Sequence, residues 1–280
     1  MKRLTPLVFV IALACGLLPI SCMPKVQPPA NVQSAPMQVI WSGSSAGYPI
    51  RWTTKEISAT ANPPSSTRPV IFSDIGLTIL DFSEAGSTQT SNCDFERRST
   101  VLSVVGPWLS LQHDDSMHCG NGTETTQRTQ ALAIDLTHPK RRPLLTEIFP
   151  ERAVLLALLN APPLNHTLTA LHAAQPQTTA ALVALLANSK AVCGSAFPKD
   201  FLNRFAFRQV RGGQVLVRLG LPAGCKASEV LVWLPVPAAQ TRSFAQAAAR
   251  KQGFLLADQP AIAKGRTTTI LYHLRTTGGS

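Results

Sequence analysis

Apolar positions recur along the chain with two different periods, and the switch between them divides it into strand-like, helix-like and again strand-like stretches. Val70 to Phe72 with Leu77 to Leu80, then Thr100 to Leu111, then Thr129 to Leu136 are rich in β-branched or alternating apolar residues, the pattern of strands. In the last of these, Leu132, Ile134 and Leu136 recur at period two with Ala131, Ala133 and Asp135 on the other side, which predicts a strand with one buried face. A shorter strand is predicted around Ile50 to Ile57. The polar, glycine-containing run His113 to Thr126 reads as a long hairpin loop joining the second and third of the strand runs.

Helical spacing follows. Pro150 is placed as a first-turn proline and Glu151 sits at the positive end of the helix dipole, ahead of Val154, Leu155, Leu156, Leu158 and Leu159. A second helix is predicted from Leu164 to Ala173, broken at Pro176, and a third from Thr178 to Ser189 with Leu182, Leu185 and Leu186 on one face. Strands return at Phe205 to Val210, Gln214 to Leu219 and Glu229 to Val236, the first two joined by the turn residues Arg211-Gly212-Gly213. An alanine-rich helix over Thr241 to Lys251 and a last strand over Thr267 to Leu274 complete the pattern. Strands, then helices, then strands predict an α+β domain with a largely antiparallel sheet and helices packed on one face.

The N-terminus changes the picture. Met1-Lys2-Arg3 precedes an uncharged apolar run from Leu4 to Leu18, the two parts of a secretory leader, and that run is shorter than the ~20 residues a membrane-spanning helix needs. Cys15 and Cys22 lie where the leader resembles that of bacterial lipoproteins, whose processed first residue is a lipid-modified cysteine. Ala12-Leu13-Ala14 supplies small residues before Cys15, whereas the continuation of the apolar run to Leu18 favours Cys22. Residues 1–21 are therefore expected to be a lipoprotein signal peptide cut before Cys22, with Cys15 or a simple cut after Ala14 as alternatives. A proline-rich tether over 22–46, one α+β domain over 47–275 and a frayed tail over 276–280 follow. Localisation is expected in the cell envelope, periplasmic or at the outer membrane, through the lipid anchor.

A start at Cys22 leaves Cys93, Cys119, Cys193 and Cys225, an even set suited to an oxidising compartment. Pairing 93 with 119 and 193 with 225 closes loops of about 30 residues, each worth roughly 3 to 4 kcal/mol in the chain-entropy model. No C-x-x-C or C-x-x-H pair supports zinc.

The chain has 280 residues, 45% of them hydrophobic and 15% charged, enough for a core of its own, and a formal net charge of +11. That surplus attracts anions, and its clusters are Arg97-Arg98, Lys140-Arg141-Arg142, Arg208 with Arg211, and Arg250-Lys251. Each reads by default as a solvated face. Export and the lack of an aromatic stacking platform argue against nucleic acid, leaving an anionic envelope polymer or a protein as the partner. The densest group of metal-capable or acid-base residues is His113-Asp114-Asp115-Ser116-Met117-His118-Cys119, and the single G-x-S-x-G match is Gly43 to Gly47. Neither carries the context its chemistry needs, so no catalytic residue, metal or cofactor is assigned.

The runs V-L-S-V-V-G-P-W-L-S-L (Val101 to Leu111), H-C-G-N-G (His118 to Gly122) and A-I-D-L-T-H-P-K-R-R-P-L-L-T-E-I-F (Ala133 to Phe149) carry a further signal. Together with the late strands they resemble a family of bacterial extracytoplasmic domains of unknown function. That family includes the lysozyme-binding ectodomain of an anti-sigma factor and regions attached to some polysaccharide deacetylases. The resemblance spans about residues 70 to 240. His138-Pro139 stands where the family has Thr-Gly, Glu147 where it has Asp, and Asn121 separates Gly120 from Gly122. The resemblance implies an envelope domain that binds or supports rather than catalyses. Two functions are thus expected in order: a non-catalytic envelope lipoprotein binding a wall polymer or protein, and, as the alternative, an enzyme or enzyme-associated module acting on envelope glycan. A cleft joining the His113 to His118 stretch to Asp135 or Glu147 would favour the alternative.

Overall fold

A computed structural model describes residues 36–60, 70–73, 93–119, 124–170, 175–188, 197–221 and 229–274. Its centre is a meander of three long strands, β5 (Cys93–Val105), β6 (Trp108–Cys119) and β7 (Glu124–Asp135). The other edge of β5 is shared by β11 (Phe254–Leu255) at one end and β12 (Thr268–Leu274) at the other, giving a five-stranded sheet. Two smaller sheets accompany it: β1 (Val39–Ser45), β2 (Tyr48–Thr53), β3 (Ile57–Ala59) and β4 (Val70–Ile71) in that order, and β8 (Phe205–Arg211), β9 (Gln214–Gly220) and β10 (Glu229–Pro235) in the order β10-β9-β8. Pairing among the described strands is antiparallel throughout. The helices are α1 (Leu145–Ile148), α2 (Glu151–Asn160), α3 (Pro162–Ala170), α4 (Thr179–Ala187) and α5 (Thr241–Ala248). The fold is α+β, as the sequence pattern predicts.

The strand boundaries differ from expectation where turns are short. Thr100 to Leu111 is not one strand: Gly106-Pro107 forms a two-residue turn between Val105 and Trp108. Gly106 has φ +55, and a Cβ there would lie 2.8 Å from the Ser243 hydroxyl, so glycine is needed for both backbone and space. The expected loop His113 to Thr126 is also replaced, since β6 runs unbroken through it to Cys119 and β7 begins at Glu124. The first strand begins at Val39, inside the segment expected as a tether, and pairs with β2. This hairpin absorbs the G-x-S-x-G match, because Ala46 and Gly47 form its tip with φ 49 and 83 and Ser45 is buried. A two-residue turn with positive φ joins antiparallel strands, whereas a nucleophile elbow joins a strand to a helix.

Toward the β5–β6 turn both faces of the long sheet are covered, which corrects the expected single buried face of β7. On one face Val101, Val104, Leu109, Leu111, Leu132 and Ile134 form a core with Ile50, Trp52 and Ile57 of the first small sheet. Val101 and Val104 are three residues apart and would point to opposite faces of a regular strand. A register shift between Val101 and Ser103 returns Val104 to the side of Val101. On the other face Val105, Trp108 and Ala133 join Phe205, Phe207, Val217 and Val232 and the buried residues of α1, α2, α4 and α5. Phe149 is 2% exposed and packs edge-on against Phe207, with ring centroids 6.2 Å apart. Glu151 accepts hydrogen bonds from the Thr179 amide and hydroxyl at 3.1 and 2.9 Å, tying the start of α4 to the start of α2.

The expected signal peptide with Cys15 and Cys22, the strand run Leu77 to Leu80, Cys193, Cys225 and the tail 276–280 lie outside the described residues. No helix among the described residues is long and apolar enough to cross a membrane.

Candidate functional site

The run His113 to Cys119 is a strand, and strand geometry sends its side chains alternately to two faces. His113, Asp115 and Met117 point into the protein and are buried, while His118 is exposed and Asp114 lies on the opposite side from Asp115. Residues adjacent in sequence are thereby prevented from converging on one ion. Among the described residues no group of three His, Cys, Asp or Glu side chains is placed to hold a metal.

The inward residues instead form buried polar rungs. Arg97 faces Asp115 across the β5–β6 ladder and donates through Nε and Nη2 to both carboxylate oxygens, each at 2.6 Å, with both side chains 1% exposed. This corrects the reading of Arg97-Arg98 as a solvated face: Arg98 is solvated, Arg97 is internal. In the neighbouring rung the Ser99 hydroxyl lies 2.7 Å from His113 Nδ1. His113 Nε2 is buried without a hydrogen-bond partner. Burial, and then the positive charges of Arg97 and Arg142, lower the His113 pKa to about 3, so the imidazole is neutral at physiological pH. Gln130, across from His113 on β7, has its amide oxygen toward the Arg128 guanidinium at 2.5 to 3.1 Å once the amide is oriented to satisfy the pair.

On the opposite face a second network connects the long sheet to β8–β10. Gln112 donates to both oxygens of Asp114 at 2.8 and 2.7 Å, and Thr129 donates to the same carboxylate at 2.8 Å. Arg218 of β9 donates to the Gln112 side-chain amide oxygen and pairs with Glu229, which also accepts from Arg208 at 3.1 Å. Arg208, expected on a solvated face, is therefore partly neutralised by Glu229 from two strands away in the same sheet.

Asp135 and Glu147 border a cleft of about 280 Å³ with Trp108, Arg141 and Gln240. Both carboxylates are already engaged in building the loop between β7 and α1. Asp135 accepts from the Thr137 amide and hydroxyl at 2.9 and 2.6 Å, and Glu147 from Arg141 at 2.7 Å and the Leu144 amide at 3.3 Å. His113 is five positions along β6 from Trp108, the residue opposite Asp135, which is roughly 17 Å away along the strand. The cleft and the His113 to His118 stretch are thus separate, and the juxtaposition that would favour the enzyme reading is not formed.

A larger groove of about 400 Å³ lies between β4 and β7. Val70, Ile71, Leu132, Ala133 and Ile134 line it together with Pro139, Lys140, Arg141 and Arg142. The three consecutive cations are all exposed. They stand on the loop after β7, whose Thr137 and Asp135 contacts fix its departure from the strand. Arg141 is partly neutralised by Glu147. The cluster Lys140-Arg141-Arg142 was legible in the sequence, but not the apolar groove beneath it, because β4 contributes its share from some seventy residues upstream.

Cys93 is 1% exposed and disulfide-bonded, and the residue opposite it in the ladder is Cys119. Comparison with protein-family models, curated proteins and solved structures finds no match.

Proposed function

We propose that this chain is a cell-envelope lipoprotein whose α+β domain is a non-catalytic binding module for an anionic envelope polymer. The observation that carries the reading is the exposed row Lys140, Arg141 and Arg142 at the border of an open groove. A formal net charge of +11 adds a long-range attraction for the same class of ligand. The groups that could do chemistry are occupied otherwise: His113 and Asp115 are sealed in the sheet, and Asp135 and Glu147 hold a loop in place. The alternative, an enzyme or enzyme-associated module acting on envelope glycan, would have to use the Asp135–Glu147 cleft. No nucleic-acid role is proposed.

A protein partner is a second reading, supported by a different surface. On β10, Leu231 and Trp233 are 39% and 38% exposed on the side away from the buried Val230, Val232 and Leu234, and β10 ends its sheet among the described strands. Exposed apolar side chains on an edge strand are a recognised means of docking another chain.

Anchoring through Cys22, or Cys15, and bonding of Cys93 to Cys119 and of Cys193 to Cys225 belong to the same proposal. The Cys93–Cys119 register supports the first disulfide. Labelled fatty acid incorporation tests the anchor: the parent should label and Cys22→Ser should not. Labelling that survives both Cys22→Ser and Cys15→Ser, or a parent that never labels, overturns it. Retention of the purified protein by isolated envelope polymer, before and after the polymer's anionic groups are neutralised, tests the binding function. Retention should disappear on neutralisation, and equal retention by the neutral polymer contradicts the reading.

A further inference from the structure

We propose that the groove between β4 and β7 binds the chain of an anionic amphiphile, with Lys140, Arg141 and Arg142 holding its carboxylate or phosphate headgroup. The inference rests on the reading of that basic row as an anion site and adds the part of the ligand that the row does not explain. A hydrated polyanion alone would satisfy the cations and leave the exposed apolar surface of Ile71 wet.

That wall is built from two sheets. Val70 and Ile71 belong to β4, the terminal strand of the four-stranded sheet, and Leu132, Ala133 and Ile134 to β7, the terminal strand of the long sheet, among the described strands. Ile71 is 44% exposed, so part of the apolar surface faces solvent. Its volume of about 400 Å³ falls in the range of small-ligand cavities, roughly 300 to 1,000 Å³. Removing apolar surface from water drives the chain into the groove, while the cations select the charge of its head. Glu147 faces Arg141 and offsets its charge, while Lys140 and Arg142 stand exposed on either side of it. Cationic rim and apolar wall within one cavity match an anionic amphiphile at both of its ends. A free fatty acid and a lipid phosphate share this chemistry.

The test uses the full chain and four probes below their micellar concentrations: dodecanoate, dodecyl phosphate, the neutral dodecyl maltoside, and chainless polyphosphate. Both anionic amphiphiles should bind at least about tenfold more tightly than the maltoside, and the tighter of the two identifies the source. Ile71→Asn, a neutral polar change at an exposed position, should weaken both about tenfold or more and leave polyphosphate binding unchanged. Lys140→Glu should weaken all three anionic probes. Equal binding of the neutral amphiphile, or indifference to Ile71→Asn, overturns the inference. Polyphosphate binding without amphiphile binding overturns the inference and leaves the proposed function standing, whereas binding of neither removes both. A chain that sediments as a dimer and becomes monomeric with Ile71→Asn, with no amphiphile bound, assigns the groove to a second copy and also overturns it.

Discussion

His113 should make the fold sensitive to mild acid, and the size of the effect follows from its surroundings. The imidazole is 0% exposed, with Ser99 against Nδ1, no partner at Nε2, and Arg97 and Arg142 as the charges that act on it. Asp115, the nearest carboxylate on the same face, is held by Arg97 in a bidentate pair. Protonation in the folded state would add a buried cation beside others, which is why the pKa falls from 6.5 to about 3. In the unfolded chain the same group takes up its proton near pH 6.5, so between these values the unfolded state holds more protons and stability is lost as pH falls. The contribution is fully present above pH 6.5. Each unit below it should cost about 1.4 kcal/mol, or roughly 2 to 3 kcal/mol by pH 4.5, before ordinary carboxylates begin to titrate strongly. Urea unfolding at pH 7.5, 6.5, 5.5 and 4.5 measures this directly. His113→Gln should be destabilised at pH 7.5 yet lose little more on acidification to pH 4.5. A parent whose stability is flat over this window, or a Gln variant that retains the same slope, would refute the argument that this imidazole is buried and neutral.

Three further outcomes follow from packing and pairing. Asp115→Ala strands the Arg97 guanidinium at 1% exposure and should cost about 3 to 5 kcal/mol in urea unfolding, whereas Arg97→Met with Asp115→Leu should recover most of the loss; equal damage in single and double variants contradicts a desolvated pair. Phe149→Ala empties a site against Phe207 and should cost ~3 to 5 kcal/mol, a large share of a total of roughly 5 to 15, with a loss under about 1 kcal/mol contradicting its placement in the core. Non-reducing peptide mapping should recover Cys93 joined to Cys119, and a Cys93 peptide joined to Cys193 or Cys225 would contradict the pairing.

Helices and late strands were legible because their signals are local. Thr178 caps α4 by accepting from the Ala181 amide at 3.1 Å, and Gly212-Gly213, with φ 57 and 74, closes the β8–β9 hairpin where the sequence predicts a turn. The central meander was legible only in part. Polar residues at period two, such as Arg97, Ser99, His113 and Asp115, look like a solvent-facing pattern when hydrophobicity is the guide. Their burial depends on partners fourteen or eighteen residues away, so the cross-strand bonds that compensate it have no local signature. Gly106-Pro107 was hidden for the opposite reason, because a two-residue turn interrupts an apolar run too briefly to break its pattern. The basic row was visible as three adjacent letters, but its relation to Val70 and Ile71 is a product of tertiary folding.

The central claim, that Lys140, Arg141 and Arg142 form an anion-binding element, is tested most directly by charge reversal. Retention of the parent and of Lys140→Glu/Arg142→Glu on immobilised polyphosphate should be compared at low salt and at about 0.15 M, where charges are screened beyond about 8 Å. Arg250→Glu/Lys251→Glu provides the same change in net charge elsewhere on the surface. The account predicts that reversal at the row abolishes retention at both salt concentrations while reversal at Arg250 and Lys251 leaves most of it intact at 0.15 M. Equal losses from the two double variants would mean that net charge alone attracts the polymer, and would contradict a site at the groove.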